Sequence, residues 1–97
     1  MPDYNWQTTF WMDFSIADRF GEKAVRDTFN RAFKEWKTEV IYLTELVLVL
    51  NWKCWDHFTE GNFKLSGLYA SLFHKANDYA RGHLKGEELD YFFRTTD

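Results

Sequence analysis

The sequence predicts an all-α fold: a small bundle of four main helices plus a short C-terminal helix, packed round a central apolar helix at about residues 38–58. Three observations predict it. The stretch Thr38 to Phe58, TEVIYLTELVLVLNWKCWDHF, holds no Gly and no Pro and is nearly two thirds apolar. Its apolar residues recur at spacings of three and four, the helical period. The segments on either side repeat that period and are set apart by glycines.

In the central stretch Leu43, Leu46, Val47, Leu50, Cys54 and Phe58 form one face at about 100° per residue, and Val40 joins it. A second apolar strip, Ile41, Leu48, Trp52 and Trp55, lies beyond Thr44 and Asn51. Glu45, Lys53 and Asp56 share a narrow polar band. A helix apolar on two faces is expected to be covered on more than one side. The β-branched Val47 and Val49 favour a strand, but strands usually stop near ten residues. A membrane span is excluded because Glu45, Asn51, Lys53 and Asp56 interrupt any run of about 20 apolar residues.

Taken in order, residues 1–8 read as extended or loosely ordered, with Trp6 a candidate anchor onto the core. Phe10, Phe14 and Ala17 give a first helix at about Thr9–Phe20, with Gly21 as its stop. A start at Ser15 competes, since Ser15 and Asp18 resemble a capping box. The second helix, Glu22–Lys37, carries an unbroken stripe from Ala24 and Val25 to Phe33 and Trp36. Opposite charges four apart, such as Glu22 and Arg26, support its other faces. A tight turn near Trp36–Thr38 leads into the central helix.

Thr59–Asn62 is a turn, and Asn62 is a fair N-cap. The fourth helix then runs to about Arg81, with Leu65, Leu68, Tyr69, Leu72, Phe73, Ala76 and Ala80 on one face. Gly67 within it costs about 1 kcal/mol relative to Ala, and close approach of another helix is the expected reason. Gly82 and Gly86 bracket a linker. Glu87–Arg94 closes the chain as a short helix with Leu89, Phe92 and Phe93 inward, its acidic start suiting the helix dipole.

At 97 residues the chain reads as a single helical domain, 1–97, long enough to fold on one core. Its one cysteine excludes an internal disulfide, and MPDYNWQTTF lacks the basic start and apolar run of a signal peptide. A reduced, cytoplasmic setting is therefore expected. The charge of −3 is spread over alternating signs. No basic cluster points to nucleic acid. Aromatic residues, at 21 %, exceed what so small a core hides, so some are expected at the surface.

Chemistry finds little support. Cys54 and His57 lie three apart on a helical face and His74 could join them, but zinc takes three or four ligands in tetrahedral array; a buried thiol and surface histidines are the simpler reading. No metal or cofactor is expected. Glu45 is the one carboxylate midway along the central helix, where desolvation raises a pKa; its place in the polar band favours exposure instead. No Gly-x-Ser-x-Gly elbow or phosphate-cradling loop is present, so the chain is read as not an enzyme. Asn51 and Thr44 read as core residues bonded within the chain, in preference to a polar seam that registers a dimer.

Trp52, Trp55, Tyr42 and Val49 bear more on function. Tyr42 and Val49 fall in or beside the polar band, and interface cores favour Trp and Tyr over charge. Tyr42, Val49 and Trp52, with Trp11 alongside, are the candidate partner-binding residues. Cover by the N-terminal helix is the competing explanation.

The wording DFSIADRFGEKAVRDTFNRAFKEWK, LTELVLVLNWKCW and LKGEELDYFFRTTD resembles small all-α proteins encoded on phages and conjugative elements of Gram-positive bacteria. The likeness runs from Trp6 to Asp97 and carries no established activity or functional residue. It implies a protein that acts on host machinery, in a class that includes anti-CRISPR and other anti-defence inhibitors. The expected function is thus a non-catalytic protein-binding module, in its sharper form an inhibitor of a bacterial defence system. The alternative is a structural or regulatory homodimer without a host target. A small nucleic-acid binder comes third, opposed by a pI near 5.6 and scattered basic residues.

Overall fold

The computed structural model describes residues 6–96, and their side chains from Thr9 onward. Among them are five helices and no strand: α1 Trp6–Asp18, α2 Glu22–Trp36, α3 Val40–Thr59, α4 Phe63–His83 and α5 Glu87–Thr96. The expected small all-α bundle is what the chain forms. Helix α3 is its centre, since it touches each of the other four and packs most extensively on α4.

The helix ends follow from local chemistry. Gly21 takes a positive φ of 103° after α1, a conformation that L side chains rarely adopt, and its N–H bonds the Ala17 carbonyl. Gly61, with φ 83°, ends α3 in a Schellman turn. There the Asn62 N–H bonds the His57 carbonyl and the Gly61 N–H bonds the Phe58 carbonyl. Three residues suffice for this turn, which folds α4 back along α3.

Several boundaries differ from the sequence reading. α1 begins at Trp6, so residues 6–8 are helical; the proposed anchoring by the Trp6 side chain lies outside the described residues. Ser15 sits inside α1, where its hydroxyl accepts from Lys53 rather than capping a new helix. Asn62 makes no side-chain cap, because its amide lies against the His57 ring. α4 continues through Gly82 to His83. Gly67 is exposed, with no atom within 4 Å of where a Cβ would stand. Close helix approach does not explain it.

The largest correction concerns the facing of α3. Leu43, Leu46, Val47 and Leu50 are in the core as expected, together with Phe14, Phe29, Tyr69 and Phe92. Val49, assigned to the polar edge, is 0 % exposed. Lys53, assigned to the polar band, is buried too. Helix α1 packs on α3 and does so beside Lys53, whose ammonium it receives on Asp18; Val49 lies one turn before Lys53. The strip expected to be covered is the open one. Ile41, Trp52 and Trp55 are exposed, and so is Phe58, which period alone had placed on the core face.

Candidate binding surface and a buried ionic cluster

Asp18, the last residue of α1, accepts from three helix-borne donors. Its Oδ2 lies 2.7 Å from Lys53 Nζ and 2.8 Å from His57 Nε2. Its Oδ1 takes the Tyr69 hydroxyl at 2.5 Å. Lys53 also donates to Ser15 Oγ at 3.2 Å, and its ammonium stands 4.5 Å from the centre of the Trp11 ring, a cation–π contact. The His57 ring runs parallel to Tyr69, 12° between planes, and Phe14 meets Tyr69 edge-on.

Burial and then the adjacent Asp18 carboxylate push the Tyr69 phenol far above its ordinary value, so it stays a neutral donor. Both Asp18 oxygens are therefore occupied. Side chains of α1, α3 and α4 converge on one carboxylate, an arrangement that fastens α1 to the α3–α4 pair. The signal for it in the sequence is weak: Lys53 breaks an apolar pattern, but Asp18 and Tyr69 lie far from it along the chain.

The Cys54, His57 and His74 side chains, weighed and set aside as a zinc site, each have other surroundings. His57 is buried against Asp18 rather than at the surface, Cys54 Sγ faces Ser66 Oγ at 3.6 Å, and His74 is exposed beside Phe73. Among the described residues no group of three or more His, Cys, Asp or Glu could hold a metal ion. Glu45 is half-buried, with Oε2 out of contact with solvent, instead of fully exposed. Thr44 is fully buried and donates to the Val40 carbonyl at 2.6 Å. That intrahelical bond suits a core residue and removes Thr44 from any dimer seam.

The four candidate partner-binding residues do not form one patch. Val49 is core. Trp11 is half-buried against Lys53, and Tyr42 is half-buried with its ring 4.6 Å from Trp36. Trp52 alone of the four is exposed. It belongs to a different surface, which runs along α3 through Ile41, Leu48, Trp52 and Trp55 and turns the corner to Phe63. Trp55 meets Phe58 at 5.9 Å and Phe58 meets Phe63 at 5.5 Å between ring centres. Ile41, Trp52, Trp55, Phe58 and Phe63 are each between 43 and 64 % exposed. The spacing of the α3 members was visible in the sequence. Their exposure was not, because it depends on where α1 and α5 lie.

The fold and this surface define the chain as a small α-helical bundle with an aromatic face open to solvent. No protein-family model matches it, and no curated protein or solved structure is significantly similar to it. No helix among the described residues is long and apolar enough to cross a membrane.

Proposed function

We propose that this protein works by binding another protein, without catalysis, through the open face of α3. One observation carries the reading: five large apolar side chains, four of them aromatic, stand in solvent along α3 and at the first residue of α4. Trp and Phe concentrate in the cores of interfaces, and contiguous apolar patches of this kind mark binding sites. The buried cluster on Asp18 supports the same reading, because its polar groups are spent on each other. The finer form, an inhibitor that occupies a host defence protein, rests only on the resemblance read in the sequence.

The test is affinity capture from a Gram-positive host lysate with the native chain and three variants. The native form should retain a protein that Trp55→Asp and Phe63→Asp both lose. Met12→Asp, which changes an exposed apolar residue on α1, should retain it. Equal retention by all forms would remove the α3 face from consideration.

A further inference from the structure

We infer that His57, Glu60 and Asn62 form a site for one divalent cation of the zinc type, at the end of α3 where the chain turns into α4. The site is separate from the aromatic face and does not depend on it. Its first ground is the orientation of the His57 ring. The Asp18 carboxylate only accepts hydrogen bonds, so the 2.8 Å contact with His57 Nε2 places a ring proton on that nitrogen. In the neutral ring Nδ1 then carries the lone pair. A metal-binding imidazole is built this way, with one nitrogen toward the metal and the other N–H held by a carboxylate. Asp18 is itself held by Lys53 at 2.7 Å and by the Tyr69 hydroxyl.

What Nδ1 faces is the second ground. Asn62 Nδ2 lies 3.3 Å from it and Glu60 Oε1 lies 4.0 Å from it. The same Asn62 nitrogen is 3.4 Å from Glu60 Oε1, so the three atoms close a small triangle. Three donors placed about 2.0–2.2 Å from a tetrahedral zinc stand about 3.3–3.6 Å apart. Turning the Asn62 amide over puts Oδ1 where Nδ2 is, and the residue is exposed enough to turn. Glu60, with its side chain 58 % exposed, closes the long edge by a small rotation. The cation then replaces the two contacts made by the amide nitrogen, and water completes its coordination.

The backbone brings the three residues together. The Asn62 N–H bonds the His57 carbonyl and the Glu60 N–H bonds the Asp56 carbonyl, so a single turn sets their spacing. Asn62 is of a type that ordinarily caps helices, yet it makes no cap on α4; its amide is directed to His57 and Glu60. The C-terminal end of a helix attracts cations, and the last turn of α3 exposes Asp56 and Glu60. The donor set selects the metal. An imidazole nitrogen suits zinc, cobalt, nickel or copper, whereas calcium and magnesium take oxygen ligands.

The test is a calorimetric titration of Zn2+ into the untagged, chelator-treated chain, with histidine nitrogen NMR to locate the cation. One Zn2+ should bind per chain, raise Tm and shift the His57 Nδ1 resonance. Glu60→Gln and Asn62→Leu change exposed residues, so the fold should survive, and each should weaken binding by more than about tenfold. Asn62→Asp, which keeps an oxygen ligand and adds charge, should tighten it several-fold. His74→Ala with His83→Ala, both exposed, should leave it unchanged.

Absence of binding at millimolar zinc would overturn the inference and leave Asn62 as a hydrogen-bonded bridge between His57 and Glu60. Binding that persists in both Glu60→Gln and Asn62→Leu would also overturn it, as would binding lost with His74 and His83, since the cation would then sit elsewhere.

Discussion

The Lys53 ammonium lies 2.7 Å from the Asp18 carboxylate across the α1–α3 contact, with the two side chains only 4 and 13 % exposed. Removing water from such a pair is costly, and the attraction between the charges compensates only when both partners are present. Asp18 satisfies the lysine, the histidine and the phenol together. Asp18→Ala should therefore destabilise the fold by about 3–5 kcal/mol, seen as a lower urea midpoint. Replacing both residues by apolar ones, Asp18→Leu with Lys53→Met, should cost less than Asp18→Ala alone. A double replacement that costs as much as the sum of the single changes would show that the pair is not coupled.

Tyr69 gives the fold a dependence on alkaline pH. Its phenol pKa is raised in the folded chain by burial and by Asp18, whereas an unfolded tyrosine ionises near pH 10. The folded state holds the proton that the unfolded state releases. The contribution of Tyr69 to stability is therefore whole below about pH 10 and falls as pH rises above it. Denaturant midpoints between about pH 8 and 11 should decline for the native chain and decline less for Tyr69→Phe. At neutral pH that variant should cost about 1.5–3 kcal/mol, the worth of a hydrogen bond to a charged group.

Two substitutions on one helix should separate its covered side from its open one. Val49→Glu places a carboxylate where no solvent reaches and nothing was built to receive it, so circular dichroism should show loss of the folded state. Trp55→Asp changes a residue 61 % exposed and should shift stability by no more than about 0.5 kcal/mol. A folded Val49→Glu protein would mean that this side of α3 is not core.

Core truncation should behave as the shared expectation of pattern and structure requires. Leu46→Ala and Leu50→Ala remove fully buried side chains and should each cost about 2–5 kcal/mol in equilibrium unfolding.

Gly67 should be improvable. It is exposed on α4, a Cβ placed there would meet no atom within 4 Å, and its φ is not in the positive range. Gly67→Ala should stabilise the chain by about 1 kcal/mol, read as a rise in Tm. A loss of stability would mean that the glycine serves a contact made by another molecule.

The five helices and the choice of α3 as the centre were legible in the sequence, because apolar spacing and glycine stops are local properties of the chain. Leu43, Leu46 and Leu50 face inward for the same reason: period fixes the angle of each side chain about its own helix axis. Period does not say which angle a neighbouring helix will cover. Two apolar strips were read on α3 and both were expected to be covered, whereas the bundle leaves Ile41, Trp52 and Trp55 of the second exposed. The tertiary structure decided this by laying α1 beside Lys53. That placement is possible because Asp18 comes across to neutralise the lysine and Tyr69 and His57 complete the hydrogen bonds. With α1 committed there, Ile41, Trp52 and Trp55 remain in solvent. A helix can determine from its own sequence which residues share a face, but burial of that face depends on partners distant in the chain.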